Sequence, residues 1–194
     1  MEPTSKLTGI DLSLRSPGVC IINKTDKHVH FWTIKQRVSD HKHISTTVTN
    51  GPYDTYQLTI TQCEMPGTLT NVIQRATYVA EAIRDQLIQH GVTKVKLEGY
   101  AYSKFTRGAS AIKELTGILK YLLSKAAIAI DIVSPTQLKR KFTGKGNVKK
   151  KAMYTRYLEY KLPDLFDVMN IKPSKANIKA PISDMVDAFA LAIH

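Results

Sequence analysis

Cysteine is almost missing from this chain of 194 residues: Cys20 and Cys63 are the whole complement. They form no CxxC pair, so they build neither the disulfide framework of a small secreted domain nor a four-thiolate zinc site. Both thiols are expected to be reduced, in an intracellular, cytoplasmic protein. Long hydrophobic runs are missing as well. No stretch approaches the ~18 apolar residues of a membrane span, and the opening Met1-Glu2-Pro3-Thr4-Ser5-Lys6 has no apolar leader core, so neither secretion nor a membrane partner is expected. Glycine and proline, at 10 and 8 residues, are too few for a low-complexity tract, and no segment repeats. The Gly144-Lys145-Gly146 spacing is not that of a Walker A loop, so no nucleotide triphosphate is expected as a ligand.

Acidic residues are scarce: 16 against 28 basic ones, a formal charge of +12. The imbalance is local. Residues 1–100 hold 11 basic and 9 acidic side chains, whereas 101–194 hold 17 and 7. Lys139, Arg140, Lys141, Lys145, Lys149, Lys150 and Lys151 place seven cations in thirteen residues with no acid among them. An apolar fraction of 43% excludes a disordered polybasic chain, which leaves a folded protein with a surface for a polyanion, nucleic acid above all. A solvated charge run, charge kept only for solubility and a nuclear-targeting patch are the bland alternatives. The helix starts expected to flank Gly144-Lys145-Gly146 add backbone N–H groups, which hold phosphates without reading sequence.

The apolar runs 6–11 and 18–23, divided by Arg15-Ser16-Pro17, and the alternating His28–Ile34 predict a three-stranded meander. Asn50-Gly51-Pro52 between two Thr- and Ile-containing runs predicts an inserted β-hairpin within about 36–68. Val72, Ile73, Ala76, Val79, Ala80, Ile83 and Leu87 recur at helical spacing over Leu69–His90, closed by Gly91. A fourth strand (Val92–Glu98), a second helix (Gly108–Ala126) and a fifth strand (Ile128–Val133) follow. Ser134-Pro135 then reads as an N-cap with proline at N1, opening a short basic helix. Further helices are expected over Val148–Tyr160 and from near Ser183 onward. The predicted class is α/β: a mixed five-stranded sheet, three antiparallel strands then parallel ones, flanked by helices in one domain spanning 1–194.

Four of the few carboxylates sit where chemistry is more natural than packing. Asp11 ends the first strand and Glu98 the fourth, and acids at the carboxyl ends of neighbouring strands converge in the crevice where such sheets bind ligands. Asp184 and Asp187, spaced i, i+3, share one face of the first turn of the last helix, with Val186, Phe189, Ala190 and Ile193 as its apolar face. Singly, each acid reads as a turn former or a helix-dipole partner. Together they repel unless a cation neutralises them, and hard oxygen ligands suit Mg2+ or Mn2+. In a polyanion-binding protein this constellation points to phosphodiester hydrolysis with two metals. His28 with His30, and His41 with His43, project in pairs from strands of the meander and the insertion but have no matching carboxylate or thiol nearby in sequence to complete a metal site. Trp32 is expected in the core. Tyr154, Tyr157 and Tyr160 are spaced to stack bases or, more simply, to pack.

Gly9-Ile10-Asp11-Leu12-Ser13, Leu97-Glu98-Gly99-Tyr100, Ser134-Pro135-Thr136-Gln137-Leu138-Lys139, Thr143–Lys151 and the terminal Ser183–His194, in this order, resemble the RuvC-like Holliday-junction resolvases of the RNase H-like superfamily. The resemblance runs from residue 7 to 194, with 36–67 as an insertion. It implies an RNase H-like fold and Mg2+-dependent, structure-selective cleavage of four-way DNA junctions, with Mn2+ able to substitute. Asp11, Glu98, Asp184 and Asp187 match the metal site. Lys139 and Lys150 are the best-aligned lysines to assist the scissile phosphate, and Tyr100, Tyr102 and Phe105 are candidates for the aromatic that opens the junction. Symmetric cutting of two strands further implies a C2 homodimer. Gly108–Ala126, with Ile118, Tyr121 and Leu122, is the expected interface. The same chemistry on an RNA–DNA hybrid or on branched replication DNA, and a non-catalytic junction-binding architectural protein, are the rival readings.

Overall fold

The computed structural model describes residues 6–35, 43–50, 54–99, 109–172 and 178–194. Seven strands form one sheet: β1 (Lys6–Asp11), β2 (Gly18–Asn23), β3 (His28–Lys35), β4 (His43–Asn50), β5 (Asp54–Glu64), β6 (Lys94–Glu98) and β7 (Ala129–Val133). Their order across the sheet is β4-β5-β3-β2-β1-β6-β7. The meander is antiparallel as expected, from Asp11↔Gly18 through Val19↔Trp32, and β6 and β7 are added parallel to β1. The hairpin is not a separate appendage to a five-stranded sheet. β5 runs parallel to β3 from His28↔Gln57 to Lys35↔Glu64, which pairs an edge that β3 would otherwise leave open. The sequence pattern shows two strands and a turn, but not the partner they choose.

The helices are α1 (Val72–Gln89), α2 (Ala109–Lys125), α3 (Pro135–Thr143), α4 (Lys150–Leu158), α5 (Leu165–Val168) and α6 (Ile182–Ile193). Caps set their ends. In α1, Asn71 accepts the Gln74 N–H and the Gln74 side chain accepts the Asn71 N–H, so the helix starts three residues later than periodicity alone indicates. Gly91 closes it at φ +60°. Ser134 caps α3 and Gly144, at φ +81°, ends it. Four-residue α5 escapes sequence reading because it is too short to show a period; Asp164 caps it.

Strand residues alternate between two cores. Ile10, Val19, Ile21, Trp32, Ile34, Val95 and Leu97 face α1 and α2, whereas Cys20, Val29 and Phe31 face α3 to α6. Trp32 is fully buried, as expected. Helix α6 is buried on nearly every side and lies across β1 and β2, so its apolar surface is wider than the single stripe expected. Two glycines allow this approach. A Cβ on Gly9 would collide with the Ala188 carbonyl oxygen, and one on Gly18 with the Asp184 carbonyl oxygen. These contacts fix where the acids of α6 stand over the ends of β1 and β2.

Candidate active site

Period two decides which way the strand-end acids point. Leu7, Gly9 and Asp11 share one face of β1; Lys94, Lys96 and Glu98 share the same face of β6, opposite the buried Val95 and Leu97. β1 and β6 are neighbours, paired Gly9↔Lys96 and Ile10↔Leu97, so Asp11 and Glu98 leave the sheet side by side beneath α6. α6 places Asp184 in its first turn, where the helix dipole favours an anion, and Asp187 one turn further along the same face. Asp187 thus belongs to the second turn rather than the first.

The acids affect one another as a cluster would. Burial raises Asp11 well above the ordinary carboxylate range, and the charges of Glu98, Asp187 and Asp184 add to the effect. The closeness of the Asp11 and Glu98 side chains raises Asp11 further and works against the rise of Glu98. Glu98 is itself raised by burial, against the opposing pull of that bond and of Lys139 and Lys150. Burial and the negative charge of Glu98 push Asp187 up to about 7, with Lys150 and Lys139 partly offsetting them. Burial and mutual repulsion that raise the proton affinity of Asp11, Glu98 and Asp187 mark a site short of positive charge, and hard oxygen donors of this kind fit a hard divalent cation. Among the described residues no three Asp, Glu, His or Cys side chains stand close enough together to hold an ion.

Asp184 differs from the other three acids. Ser16 donates to its Oδ2 at 2.9 Å and Ser183 to its Oδ1 at 2.7 Å. Lys150 Nζ donates to Ser183 Oγ at 2.8 Å and reaches Asp184 Oδ1 at 3.4 Å. Neither serine was singled out by the sequence as a site residue. Ser183 appeared only as the start of a helix, and a serine in a turn such as Arg15-Ser16-Pro17 carries no signal of its own.

Of the predicted basic residues, Lys150 contacts Asp184 directly, and Lys150 and Lys139 both stand close enough for their charges to act on Glu98 and Asp187. Arg140, Lys141, Lys145, Lys149 and Lys151 are exposed on α3, on α4 and on the turn between them. Only one helix starts beside Gly144-Lys145-Gly146. α3 ends there, so α4 alone offers its N-terminus. Tyr100, Tyr102 and Phe105 lie outside the described residues. Tyr154 and Tyr157 are buried in the aromatic cluster around Phe189, and Tyr160 stacks on Phe142, which settles the packing role over base stacking. His28 and His30 share hydrogen bonds through Nε2 with Thr59 and Thr61, at 2.9 Å each; His41 lies outside the described residues. On α2, Ile118 and Leu122 pack into the core, leaving Tyr121 as the exposed member of the expected interface.

A mixed sheet of this order, with a C-terminal acidic helix across β1 and β2 and strand-end acids beneath it, is a RuvC-like fold. Among solved structures the chain is similar to Thermus thermophilus RuvC, at TM-score 0.54 and 12% identity over 97% of this chain and 91% of that one. It is equally similar to T. thermophilus RuvC in complex with a Holliday junction substrate, at TM-score 0.55 and 12% identity over the same shares. The yeast mitochondrial Holliday junction resolvase Ydc2 matches at TM-score 0.54 and 13% identity, over 99% of this chain and 78% of that one. No family model matches the chain, and no curated protein sequence does. Among the described residues no helix is long and apolar enough to cross a membrane.

Proposed function

We propose that this chain is a divalent-metal-dependent endonuclease that resolves four-way DNA junctions, a single nuclease domain working as a homodimer. The observation that carries this reading is the placement of Asp11 and Glu98 on one face of the paired strands β1 and β6, beneath the helix that carries Asp184 and Asp187, with Lys150 on Asp184 and a run of basic side chains beside it. Asp11, Glu98, Asp187 and Asp184 would hold Mg2+ or Mn2+, two ions per site, which when bound supply an activated water and stabilise the leaving oxygen. Because Asp11, Glu98 and Asp187 have raised proton affinity, metal and protons compete for them, so metal uptake rises with pH. Lys150 and Lys139 balance the negative charge of the acids and of an arriving phosphate. Arg140, Lys141, Lys145, Lys149 and Lys151 bind the sugar–phosphate backbone and set its register rather than reading bases. One aromatic of Tyr100, Tyr102 and Phe105 holds the junction open.

One acidic set is one nuclease centre, and clean resolution needs two symmetric cuts, which an isologous dimer provides. The exposed apolar side chains that suit such an interface are Val72 and Ile73, at 44% and 52% exposure at the start of α1, beside the N-terminal end of α2.

The test is cleavage of a fixed synthetic four-way junction, a linear duplex and an RNA–DNA hybrid, each with Mg2+ and with EDTA. The expected result is paired symmetric nicks in the junction alone, and only with metal. Preferential cutting of the hybrid would move the same chemistry to another substrate, and tight junction binding without cleavage in Mg2+ or Mn2+ would establish an architectural protein instead.

A further inference from the structure

Asp184 has already used most of its capacity to accept hydrogen bonds. An ionised carboxylate offers about four acceptor positions, two on each oxygen. Ser183 and Lys150 take both on Oδ1, and Ser16 takes one on Oδ2. A single acceptor position therefore remains, on the oxygen that Ser16 holds.

Ser16 is well built to hold it. Ser16, Ser183 and Asp184 are all buried. Ser16 sits in the turn between β1 and β2, five residues after Asp11, and its N–H donates to Ser13 Oγ at 3.3 Å. Two residues later Gly18 lies against the Asp184 carbonyl, in a space that only glycine leaves open. One short turn therefore locates both the backbone and the carboxylate of Asp184. Because that turn leaves β1 directly after Asp11, it also couples Asp184 to the strand-end acids.

We propose that Ser16 is a positioning residue for the cleavage site: its hydroxyl turns Asp184 so that the one free acceptor position on Oδ2 joins Asp11, Glu98 and Asp187, while Ser183 keeps Lys150 on the opposite oxygen. The inference rests on the nuclease reading above. A merely structural serine, present only to satisfy a buried carboxylate, would contribute to folding and to nothing else.

The two roles separate in Mn2+ binding measured by isothermal titration on the full chain without DNA, together with kcat and KM for junction cleavage. Ser16→Ala is expected to weaken Mn2+ binding by about tenfold, the lower end of the 10–100-fold loss usual when the partner of a ligating group is removed. kcat should fall to a similar extent while KM for the junction stays unchanged, since no contact to DNA is lost. Ser16→Cys keeps the side-chain connectivity, with a larger atom and a weaker donor, and should fall between wild type and alanine, which keeps the test intact if the alanine variant does not fold. Wild-type Mn2+ affinity and kcat in either variant, with only a lowered melting temperature, would overturn the proposal. A wild-type chain that binds no Mn2+ would overturn the nuclease reading itself.

Discussion

Replacing Asp187 with asparagine keeps the shape of the side chain and removes its charge, which makes it a direct probe of crowding among the acids. Burial and the nearby Glu98 push Asp187 up to about 7, against an ordinary value of 3.8. In metal-free protein the sign follows from proton counting. Between about pH 4 and pH 7 the folded carboxyl keeps a proton that the unfolded one has lost, so stability falls as pH rises across that window and the penalty is complete above it. At ~1.4 kcal/mol per pH unit the full penalty is up to about 4 kcal/mol at pH 8 and almost nothing near pH 4. Asp187→Asn should therefore melt higher than wild type in EDTA at pH 8. If about 2 kcal/mol of the penalty is realised, the difference is roughly 4–8 °C for a domain of this size. The difference should shrink toward zero near pH 4. Excess Mg2+ at pH 8 should then reverse the order, because only the wild type gains from binding the ion. Thermal melts across pH 4 to 8.5, with EDTA and with Mg2+, measure all of this. A variant that melts no higher than wild type at pH 8, or higher by the same margin at every pH, would refute the crowding.

Asp11→Asn and Glu98→Gln should each lower junction cleavage by about two orders of magnitude or more, with junction binding in Ca2+ unchanged or tighter; near wild-type turnover in either would remove that acid from the site. Neutralising Lys149 and Lys151 together should reduce the log–log salt slope of junction binding by about 2, at ~0.9 per phosphate contact, and leave the preferred DNA structure as it was. Loss of Lys150 should instead slow single-turnover cleavage more than it weakens binding, and a pure affinity effect would exclude it from the chemistry. Val72→Asp with Ile73→Asp should convert a dimer to a monomer at micromolar concentration in sedimentation, whereas a wild-type chain that is monomeric both with and without junction DNA would end the paired-nicking scheme.

How far the fold could be read depended on whether each element carried its own signal. The alternation in His28–Ile34 marks a strand, and the adjacent Phe31 and Trp32 that interrupt it lie in opposite cores, since this strand is covered on both faces. The heptad-like recurrence in α1 gave the helix, and the Asn71–Gln74 box, a local chemical motif, corrects its start. Partner choice is different in kind. The Thr-rich hairpin could have stood apart, and β5 pairs with β3 only because β3 offers an unpaired edge, a property of the assembled sheet and not of any stretch of chain. The width of the apolar stripe on α2 has a related reason. Ile118 and Leu122 widen the apolar stripe because α1 packs alongside α2, and a wide stripe in sequence does not distinguish a second helix of the same chain from a second chain.

The acids of the site were readable because each ends an element, and ends of elements are visible in sequence. Asp11 and Glu98 follow apolar runs, while Asp184 and Asp187 open an apolar helix, so topology alone had to bring them together. Ser16 was not readable on the same terms. Its role comes from the crossing of α6 over the β1–β2 turn, a crossing permitted by Gly9 and Gly18 because neither has a side chain. Those two glycines, spaced to straddle the turn, are the trace that the crossing leaves in the sequence. In a sheet with a buried helix laid across it, glycines on adjacent strands mark where the helix touches, and a polar residue in the turn between them is placed to hold whatever the helix presents there. Read in that order, Gly9, Gly18 and the helix beginning at Ile182 lead from the sequence to Asp184, and from Asp184 to the hydroxyl of Ser16.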